Sequence, residues 1–335
     1  MKADFPILLL AICDPVKALA LSGIIARLKH EIPHARITLV TTPASAELYQ
    51  DDEFVDDIQV IEGAIFKIKA IGILSELSRR QWGLCVDIGP TLISRMMKTK
   101  TRFTLNPNDS ISPVVQMAEA LHLEVSEVLP RLRVSPRREA QVRGFLDNGR
   151  GMEPLVIMAP GADWLGRRWP TERFAVLATR LMREGGPYVG HRLLVLGGES
   201  ERDTAMALTM ATPRARVLEM AGKLDPLSAY AALRQGSVFI GNDELWLDLA
   251  AAAGIPTFGL YGPSDEGTAP LGPNVHTIRG PRSLADIQII DPKLKQSVCH
   301  MLDLSIDTVY EVIAKTVQSA TEETPHAEDF RSHHP

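Results

Sequence analysis

The sequence predicts an α/β protein with two Rossmann-like doubly wound domains that face a cleft. The chain has 335 residues, which is more than one hydrophobic core usually organises. Short apolar runs alternate with segments of helical periodicity, first over residues 1–150 and again over residues 151–320. Because ligands of open α/β sheets bind at the carboxyl ends of the strands, two such units predict a ligand cleft between them.

The first half opens on residues 7–12, a continuous apolar run typical of a central parallel strand. Asp14 and Pro15 follow it and predict the start of a helix, with the carboxylate as N-cap and the proline as first helical residue. The remaining elements of this unit are predicted as strands at 37–40, 58–61, 84–88 and 102–105 and a helix at 70–80.

The second half repeats this alternation after a polar stretch at residues 133–154, which predicts the boundary between the units. Strands are predicted at 155–159, 192–196, 216–218, 238–240, 257–260 and 276–278. Helices are predicted at 171–183, 201–210, 226–234, 244–253 and 306–319. Residues 321–335 are polar and charged, and we expect this tail to be disordered.

The composition excludes several classes of protein. Hydrophobic residues make up 45% and charged residues 23%, as in ordinary globular proteins. A formal charge of −5 and a pI near 6.0 predict no general affinity for nucleic acid, which needs a basic surface. The scattered cysteines Cys13, Cys85 and Cys299 have neither metal-ligand spacing nor the pattern of a disulfide framework, so they favour a reducing cytoplasm.

The apolar start of the chain is interpreted as a buried strand rather than a signal peptide. Lys2 is the only basic residue before the run, Asp4 offsets it, and charged residues interrupt the approach to the one cleavage-like triplet. No stretch reaches the roughly 20 apolar residues of a membrane-spanning helix. The sequence also lacks a dinucleotide glycine fingerprint, a Walker loop and a metalloprotease motif.

A set of ordered segments in the second half carries a family resemblance. They are APGA at 159–162, RRWPTERF at 167–174, LGG at 196–198, AGK at 221–223, GND at 241–243, AAAAGIP at 250–256 and YGPSD at 261–265. Together they resemble glycosyltransferase family 9, the ADP-heptose:lipopolysaccharide heptosyltransferases. The resemblance spans about residues 155–315 well and the first half more loosely.

The resemblance implies a fold and an activity. The fold is the GT-B arrangement, in which two Rossmann-like domains face each other across a cleft. The reaction is transfer of a heptose from a nucleotide diphosphate sugar to a saccharide hydroxyl, with inversion at the anomeric carbon. It implies neither a tightly bound metal nor another cofactor.

Asp14 matches the aspartate that the family uses as general base. A carboxylate at the end of the first strand could take the proton of the acceptor hydroxyl. The alternative is that Asp14 only caps the helix before Pro15. The family usually has glycines around this position, whereas Cys13 and Pro15 flank it here.

The resemblance also assigns residues to the donor. Arg167 stands at the position of a lysine that meets the donor phosphates, with Arg168 beside it, and arginine can bind phosphate through two hydrogen bonds. A solvated basic loop is the alternative. Lys223 matches a position near the nucleoside. Gly161 and Ala162 follow a strand end, where small residues admit a ligand or simply form a turn.

The predicted entry to the helix at 244–253 adds Asn242, Asp243, Glu244, Leu245 and Asp248 to the donor site. The family normally has Ser or Thr, Gly and His at the last three positions. At 244 a carboxylate replaces a hydroxyl that could donate to phosphate. At 245 a branched side chain replaces the glycine that leaves space for the ligand, and at 248 a second carboxylate replaces a possible cation or hydrogen-bond donor. A like-charge pair about 8 Å apart costs roughly 2 kcal/mol at an effective dielectric of about 20, so these changes oppose a diphosphate unless Arg167 and Arg168 offset them. The alternatives are that Glu244 is a favourable acid in the first turn of a helix and that Asp248 faces solvent or pairs with a nearby base.

Asp87, at the end of the strand predicted at 84–88, and Arg95 are predicted to lie on the acceptor side. Lys98 could assist Arg95 with an anionic acceptor. A plain surface role is the alternative for all three.

Three hypotheses follow. The first is an active inverting glycosyltransferase with an ADP-heptose-like donor and a saccharide of a cell-surface glycan as acceptor, working in the cytoplasm and compatible with peripheral association at the inner membrane. The second is a non-catalytic relative with a degenerate donor site that binds another ligand or a protein. The third is another enzyme on the same fold, such as a nucleotide-sugar epimerase.

Overall fold

The computed structural model describes residues 4–63, 68–89, 92–105, 111–147, 149 and 151–322. In these ranges the chain forms two parallel β-sheets flanked by helices, which confirms the predicted fold class. No helix in the described ranges has both the length and the apolar character needed to cross a lipid bilayer.

The first sheet has five described strands in the order β3-β2-β1-β4-β5. The strands are β1 Phe5–Ala11, β2 Ala35–Thr41, β3 Asp57–Val60, β4 Gln81–Asp87 and β5 Lys98–Thr104. Its helices are α1 Pro15–Leu19, α2 Leu21–Glu31, α3 Pro43–Ala46, α4 Ile68–Arg79, α5 Pro113–Leu121 and α6 Pro136–Asp147. The predicted strands all occur, whereas α3, α5 and α6 were not predicted.

The second sheet has six described strands in the order β11-β10-β9-β6-β7-β8. The strands are β6 Leu155–Ala159, β7 Arg192–Val195, β8 Val217–Glu219, β9 Val238–Asn242, β10 Thr257–Tyr261 and β11 Val275–Arg279. Its helices are α7 Thr171–Met182, α8 Arg202–Met210, α9 Pro226–Leu233, α10 Leu245–Ala253, α11 Leu284–Ile290 and α12 Ile306–Glu322. The prediction places these elements correctly to within a few residues and omits α11.

The apolar run that begins the chain becomes the central strand of the first sheet. Leu8 and Leu10 point into one buried cluster and Ile7 and Leu9 into another, so both faces of β1 are covered by protein. Burial on both faces explains why the run is continuously apolar rather than alternating. The interpretation of this segment as a strand is confirmed.

The stretch predicted as a boundary at 133–154 contains a helix. We call the part of the chain built on the first sheet the first lobe and the part built on the second sheet the second lobe. α6 occupies most of the stretch and packs against α9 of the second lobe. Its polarity is that of a helix with one face in solvent, since Val142 and Leu146 are its described buried residues. The polar composition of this stretch is therefore that of a helix with one exposed face. The assignment of residues 1–150 and 151–320 to separate domains stays a prediction.

Each sheet contains one point at which its strand order reverses direction along the chain. In the first sheet the reversal lies between β1 and β4, and in the second it lies between β6 and β9. The loops that leave these strands meet at a crevice, which is where ligands of doubly wound sheets bind. The predicted disorder of residues 321–335 falls almost entirely outside the described residues, while α12 itself runs three residues past its predicted end.

Candidate functional site

A cavity of about 570 Å³ lies between the two lobes at the carboxyl ends of their strands. The first lobe contributes the start of α1 and the end of β4, with Leu105, Ile111, Pro113 and Gln116 beyond them. The second lobe contributes the loops after β6, β7 and β9 and the first turns of α10. Leu245 lines this cavity without closing it, so the predicted cleft exists.

Asp14 stands at the mouth of this cavity on the first lobe. It is exposed, and its Oδ1 accepts a hydrogen bond of 3.0 Å from the backbone N–H of Lys17, which caps α1. Pro15 is the first residue of the helix, as the sequence predicts. A carboxylate has two oxygens and several acceptor positions, so capping does not use up its capacity to accept a proton. Both interpretations of Asp14 therefore fit the structure together.

The charged groups around the cavity are mostly acidic. Of the described residues that line it, the acidic ones are Asp14, Asp163, Glu201, Asp243, Glu244 and Asp248, and the basic ones are Lys17 and Arg167. An anionic ligand therefore enters a site where carboxylates outnumber cations. Among the described lining residues, Arg167 is the basic one that the second lobe contributes.

Arg167 lies at the centre of this wall, and its guanidinium is already paired. Its Nη2 is 3.0 Å from Oε1 of Glu244, and its Nη1 is 3.7 Å from Oδ2 of Asp243. The same Oε1 of Glu244 accepts a hydrogen bond of 3.1 Å from the backbone N–H of Asp163. Glu244 precedes α10, yet its side chain caps no N–H of that helix. The carboxylate is thus held by the loop after β6.

Burial shifts the protonation of two of these acids. Burial raises the pKa of Glu244 to about 7, and the ion pair with Arg167 only partly opposes it. Burial also raises the pKa of Asp248 well above its usual range, and the charges of Asp243 and Asp14 add to the effect. Both groups are therefore easier to protonate than ordinary surface carboxylates.

Replacing Glu244 by Gln is expected to remove a pH-dependent loss of stability. The folded protein holds the Glu244 proton more tightly than the unfolded chain, so wild-type stability falls as pH rises from about 4.5 to about 7. The variant should match wild type near pH 4 and exceed it by about 3 kcal/mol at pH 8, because the rise in the pKa from 4.5 to about 7 is worth about 1.4 kcal/mol per pKa unit. Urea unfolding at both pH values measures this difference.

The matched control for this prediction is Glu311→Gln, which removes an exposed carboxylate on α12. It should show the same unfolding free energy as wild type at both pH values. A Glu244→Gln variant that is less stable than wild type at pH 8 would contradict the account, because the ion pair with Arg167 would then outweigh the burial.

Asn242 lies behind the cavity wall rather than on it. It is 1% exposed, and its Oδ1 accepts a hydrogen bond of 3.1 Å from the backbone N–H of Trp169. Its Nδ2 donates to the carbonyls of Pro160 and Gly161 at 3.0 and 2.9 Å. The amide therefore fixes both ends of the loop that carries Arg167. It was predicted as a donor contact, whereas the structure gives it a positioning role.

Replacing Asn242 by Ala should lower the free energy of unfolding by about 2 kcal/mol, because buried backbone groups lose their partners. Asn274→Ala is the control, since Asn274 is exposed and makes one hydrogen bond to the carbonyl of Gly254. Equal losses in the two variants, measured by urea unfolding, would contradict the positioning role.

Glu201 is a cavity residue that the sequence did not reveal as part of the site. It is 6% exposed, and its Oε2 accepts hydrogen bonds from the backbone N–H of Gly198 at 2.6 Å and from Nε1 of Trp246 at 2.8 Å. A Cβ on Gly161 would lie 2.1 Å from Oε1 of Glu201. A side chain at position 161 would therefore displace this carboxylate. The sequence signal was the glutamate three residues after Gly198, a spacing from which a side chain can reach back to the backbone N–H that precedes a helix.

Three other residues predicted for the donor lie outside the cavity lining. Ala162 is buried, and its carbonyl accepts a hydrogen bond of 2.7 Å from Nη2 of Arg168. Lys223 is exposed, and its Nζ bonds the carboxylate of Glu219 at 2.5 Å. Arg168 and Ala162 thus stabilise the loop, while Lys223 stabilises the turn after β8.

The residues predicted for the acceptor side do not line the cavity either. Asp87 is fully buried, and its Oδ1 accepts a hydrogen bond of 3.1 Å from the backbone N–H of Gly89. Arg95 is exposed and lies three residues before β5, near the amino end of that strand and away from the cavity lining. Lys98 is the first residue of β5 and lies opposite Gln81, the first residue of β4. It is therefore at the amino ends of the strands, whereas Asp14 follows the carboxyl end of β1. The loop after Asp87 does reach the cavity, through Ile88.

Comparison with known proteins identifies the family. The sequence model of Glycosyltransferase family 9 (heptosyltransferase) matches residues 112–293, which is more than half of the chain. The chain belongs to glycosyltransferase family 9. A "Lipooligosaccharide heptosyltransferase 2" from Haemophilus influenzae is 26% identical over 164 residues, covering 47% of this chain and 46% of that protein. The chain thus matches about half the length of this curated family 9 relative.

Solved structures of similar proteins agree on the fold. The glycosyl transferase family 9 protein from Veillonella parvula has a TM-score of 0.74 at 16% identity, covering 97% of this chain and 99% of that one. The Escherichia coli ADP-heptose lps heptosyltransferase II has a TM-score of 0.71 at 17% identity, covering 96% and 100%. This family 9 chain therefore has the GT-B arrangement predicted for it.

The described residues contain no group of three or more His, Cys, Asp or Glu side chains arranged to hold a metal ion. The sequence-based expectation that the reaction needs no metal or cofactor stays a prediction.

Proposed function

We propose that this family 9 chain transfers a sugar from a nucleotide diphosphate sugar to a hydroxyl of a saccharide acceptor, with inversion. The observation that carries the proposal is the position of Asp14, an exposed carboxylate that lines the cavity on the first lobe. Arg167 and the amino end of α10 line it on the second. A base and an anion-binding wall therefore share one cavity.

In this mechanism Asp14 acts as general base. Its carboxylate takes the proton of the acceptor hydroxyl as the oxygen attacks the anomeric carbon, and the bond from that carbon to the diphosphate breaks. Attack on the side opposite the leaving group inverts the anomeric centre. The charge that develops on the diphosphate is stabilised by Arg167 and by the backbone N–H groups at the start of α10.

The identity of the substrates rests on family membership and on the names of relatives. The Escherichia coli relative is called an ADP-heptose lps heptosyltransferase, and the Haemophilus influenzae relative a lipooligosaccharide heptosyltransferase. We therefore assign an ADP-heptose-like donor to residues 151–320 and a glycan acceptor to residues 1–150. Association with the inner membrane surface stays a prediction.

Calorimetry with ADP, UDP and ADP-heptose tests the donor, and release of ADP in the presence of a lipopolysaccharide-derived acceptor tests the transfer. We expect ADP and ADP-heptose to bind and ADP release to require the acceptor. Binding of UDP in place of ADP would change the donor, and no binding of any of the three at millimolar concentration would contradict the proposal.

A second candidate function is favoured by one observation. The Glu244 carboxylate occupies Arg167 and the backbone N–H of Asp163, so a diphosphate meets a paired cation. A non-catalytic relative, whose cavity binds another ligand or a protein, would have this arrangement permanently. Such a protein would bind none of the three nucleotides and would release no ADP with any acceptor.

A further inference from the structure

The Glu244 side chain makes the contacts that an anionic ligand of this cavity would make. One carboxylate oxygen, Oε1, lies 3.0 Å from Nη2 of Arg167 and 3.1 Å from the backbone nitrogen of Asp163. An arginine and a backbone N–H that converge on one oxygen are a typical set of donors for a phosphate oxygen. The position is therefore built for an anion and is filled from within the chain.

We propose that Glu244 is an internal anion that competes with the diphosphate of the donor for Arg167 and the backbone N–H of Asp163. The inference rests on the proposed transferase function and deepens it, because it makes Glu244 the residue that sets donor affinity. A diphosphate reaches the guanidinium only when the carboxylate withdraws or loses its charge.

The geometry around Glu244 supports competition rather than simple capping. The side chain is 15% exposed, and it does not hydrogen-bond the N–H groups of the α10 amino terminus. Asp243 reaches the same guanidinium at the longer distance of 3.7 Å. Glu244 is thus the acid with the close contact, and its removal leaves Arg167 with one distant partner among the described residues.

Protonation gives the competition a pH dependence. The charged groups near Glu244 are Arg167, Asp163 and Asp243; Asp248 follows on α10, and Asp14 lines the same cavity from the start of α1. Burial raises the pKa of Glu244 to about 7, so the competing charge is present above pH 7 and is lost below it. We therefore expect a diphosphate to bind more tightly at pH 6 than at pH 8.

Inorganic pyrophosphate is the probe, since it reports on the anion position without any contribution from the sugar or the base. Calorimetry on the full chain at pH 8 should show at least tenfold tighter binding to Glu244→Gln and Glu244→Ser than to wild type. Wild type should gain affinity by a similar factor on moving from pH 8 to pH 6, after correction for the ionisation of pyrophosphate itself. The two variants should gain much less.

The matched control is Glu311→Gln, which neutralises an exposed carboxylate on α12 that does not line the cavity. We expect its affinity for pyrophosphate to stay within about twofold of wild type. An equal gain in this variant would reduce the effect to general charge relief and overturn the inference. Addition of Arg167→Ala to Glu244→Gln should abolish the gain.

The outcomes separate this inference from the proposed function. If the Glu244 variants bind pyrophosphate no better than wild type, or if no variant binds it, the inference is overturned whatever the transferase assay shows. If pyrophosphate affinity rises tenfold but ADP-heptose is never turned over, the competition stands and the proposed transferase function fails.

Discussion

Asp14→Asn is expected to lower turnover of ADP-heptose by at least about 100-fold, since general base catalysis contributes roughly 10²–10⁴ to such reactions. The asparagine keeps the shape of the side chain and is itself a good helix N-cap, so α1 should still begin at Pro15. Acceptor-dependent ADP release measures turnover, and calorimetry with ADP should show unchanged donor binding. The effect therefore falls on kcat rather than on KM for the donor.

Thr42→Ala is the control for the capping contribution of Asp14. Thr42 caps α3 through a hydrogen bond to the backbone N–H of Ser45 and also bonds the carbonyl of Cys13, next to Asp14. Its loss should cost about 1 kcal/mol of stability and little turnover. If Asp14→Asn retains turnover within about threefold of wild type, Asp14 is a cap and not the base.

Arg138→Ala is expected to lower the free energy of unfolding by about 3 kcal/mol, because it breaks a partly buried ion network between the lobes. From α6, Arg138 Nε donates to Asp51 at 2.8 Å and Nη1 donates to Asp225 at 2.8 Å. Burial alone would raise the pKa of Asp51, but the hydrogen bonds from Arg138 and Ser135 outweigh it and lower the pKa. Both carboxylates therefore stay charged and lose their shared cation in the variant.

Arg137→Ala is the matched control, since the neighbouring side chain on α6 is exposed. It should change the unfolding free energy in urea by less than about 0.5 kcal/mol. Because α6 joins both lobes, Arg138→Ala should also reduce turnover by misaligning the walls of the cavity. A loss of stability no larger than that of Arg137→Ala would show that the network does not hold the lobes together.

The sequence predicted the fold well because its central strands are buried on both faces. Residues 7–12 and 155–159 are continuous apolar runs, and both became central strands. The helix α6, within the stretch at 133–154, was not predicted, because its exposed face makes the composition of this stretch polar. Periodicity predicts a helix most clearly when an apolar face is broad, and in α6 that face is narrow.

The site was predicted less completely because sequence shows which residues enter a loop but not where their side chains turn. Asn242 and Glu244 are two residues apart, yet one is buried behind the wall and the other lines the cavity. Carboxylates at 244 and 248, where the family normally has a hydroxyl and a histidine, indicated that this site repels a diphosphate. The pairing of Glu244 with Arg167 and the hydrogen bond from Trp246 to Glu201 depend on contacts between distant segments, which no local pattern contains.

A structure of the chain bound to a non-transferable ADP-heptose analogue would show whether Asp14 and Arg167 act on the same bound donor. We expect the diphosphate to lie beside Arg167 and the amino end of α10, with the Glu244 side chain displaced from that guanidinium. We expect the anomeric carbon to face Asp14. An analogue bound outside the cavity, or bound within it with its anomeric carbon directed away from Asp14, would contradict the account.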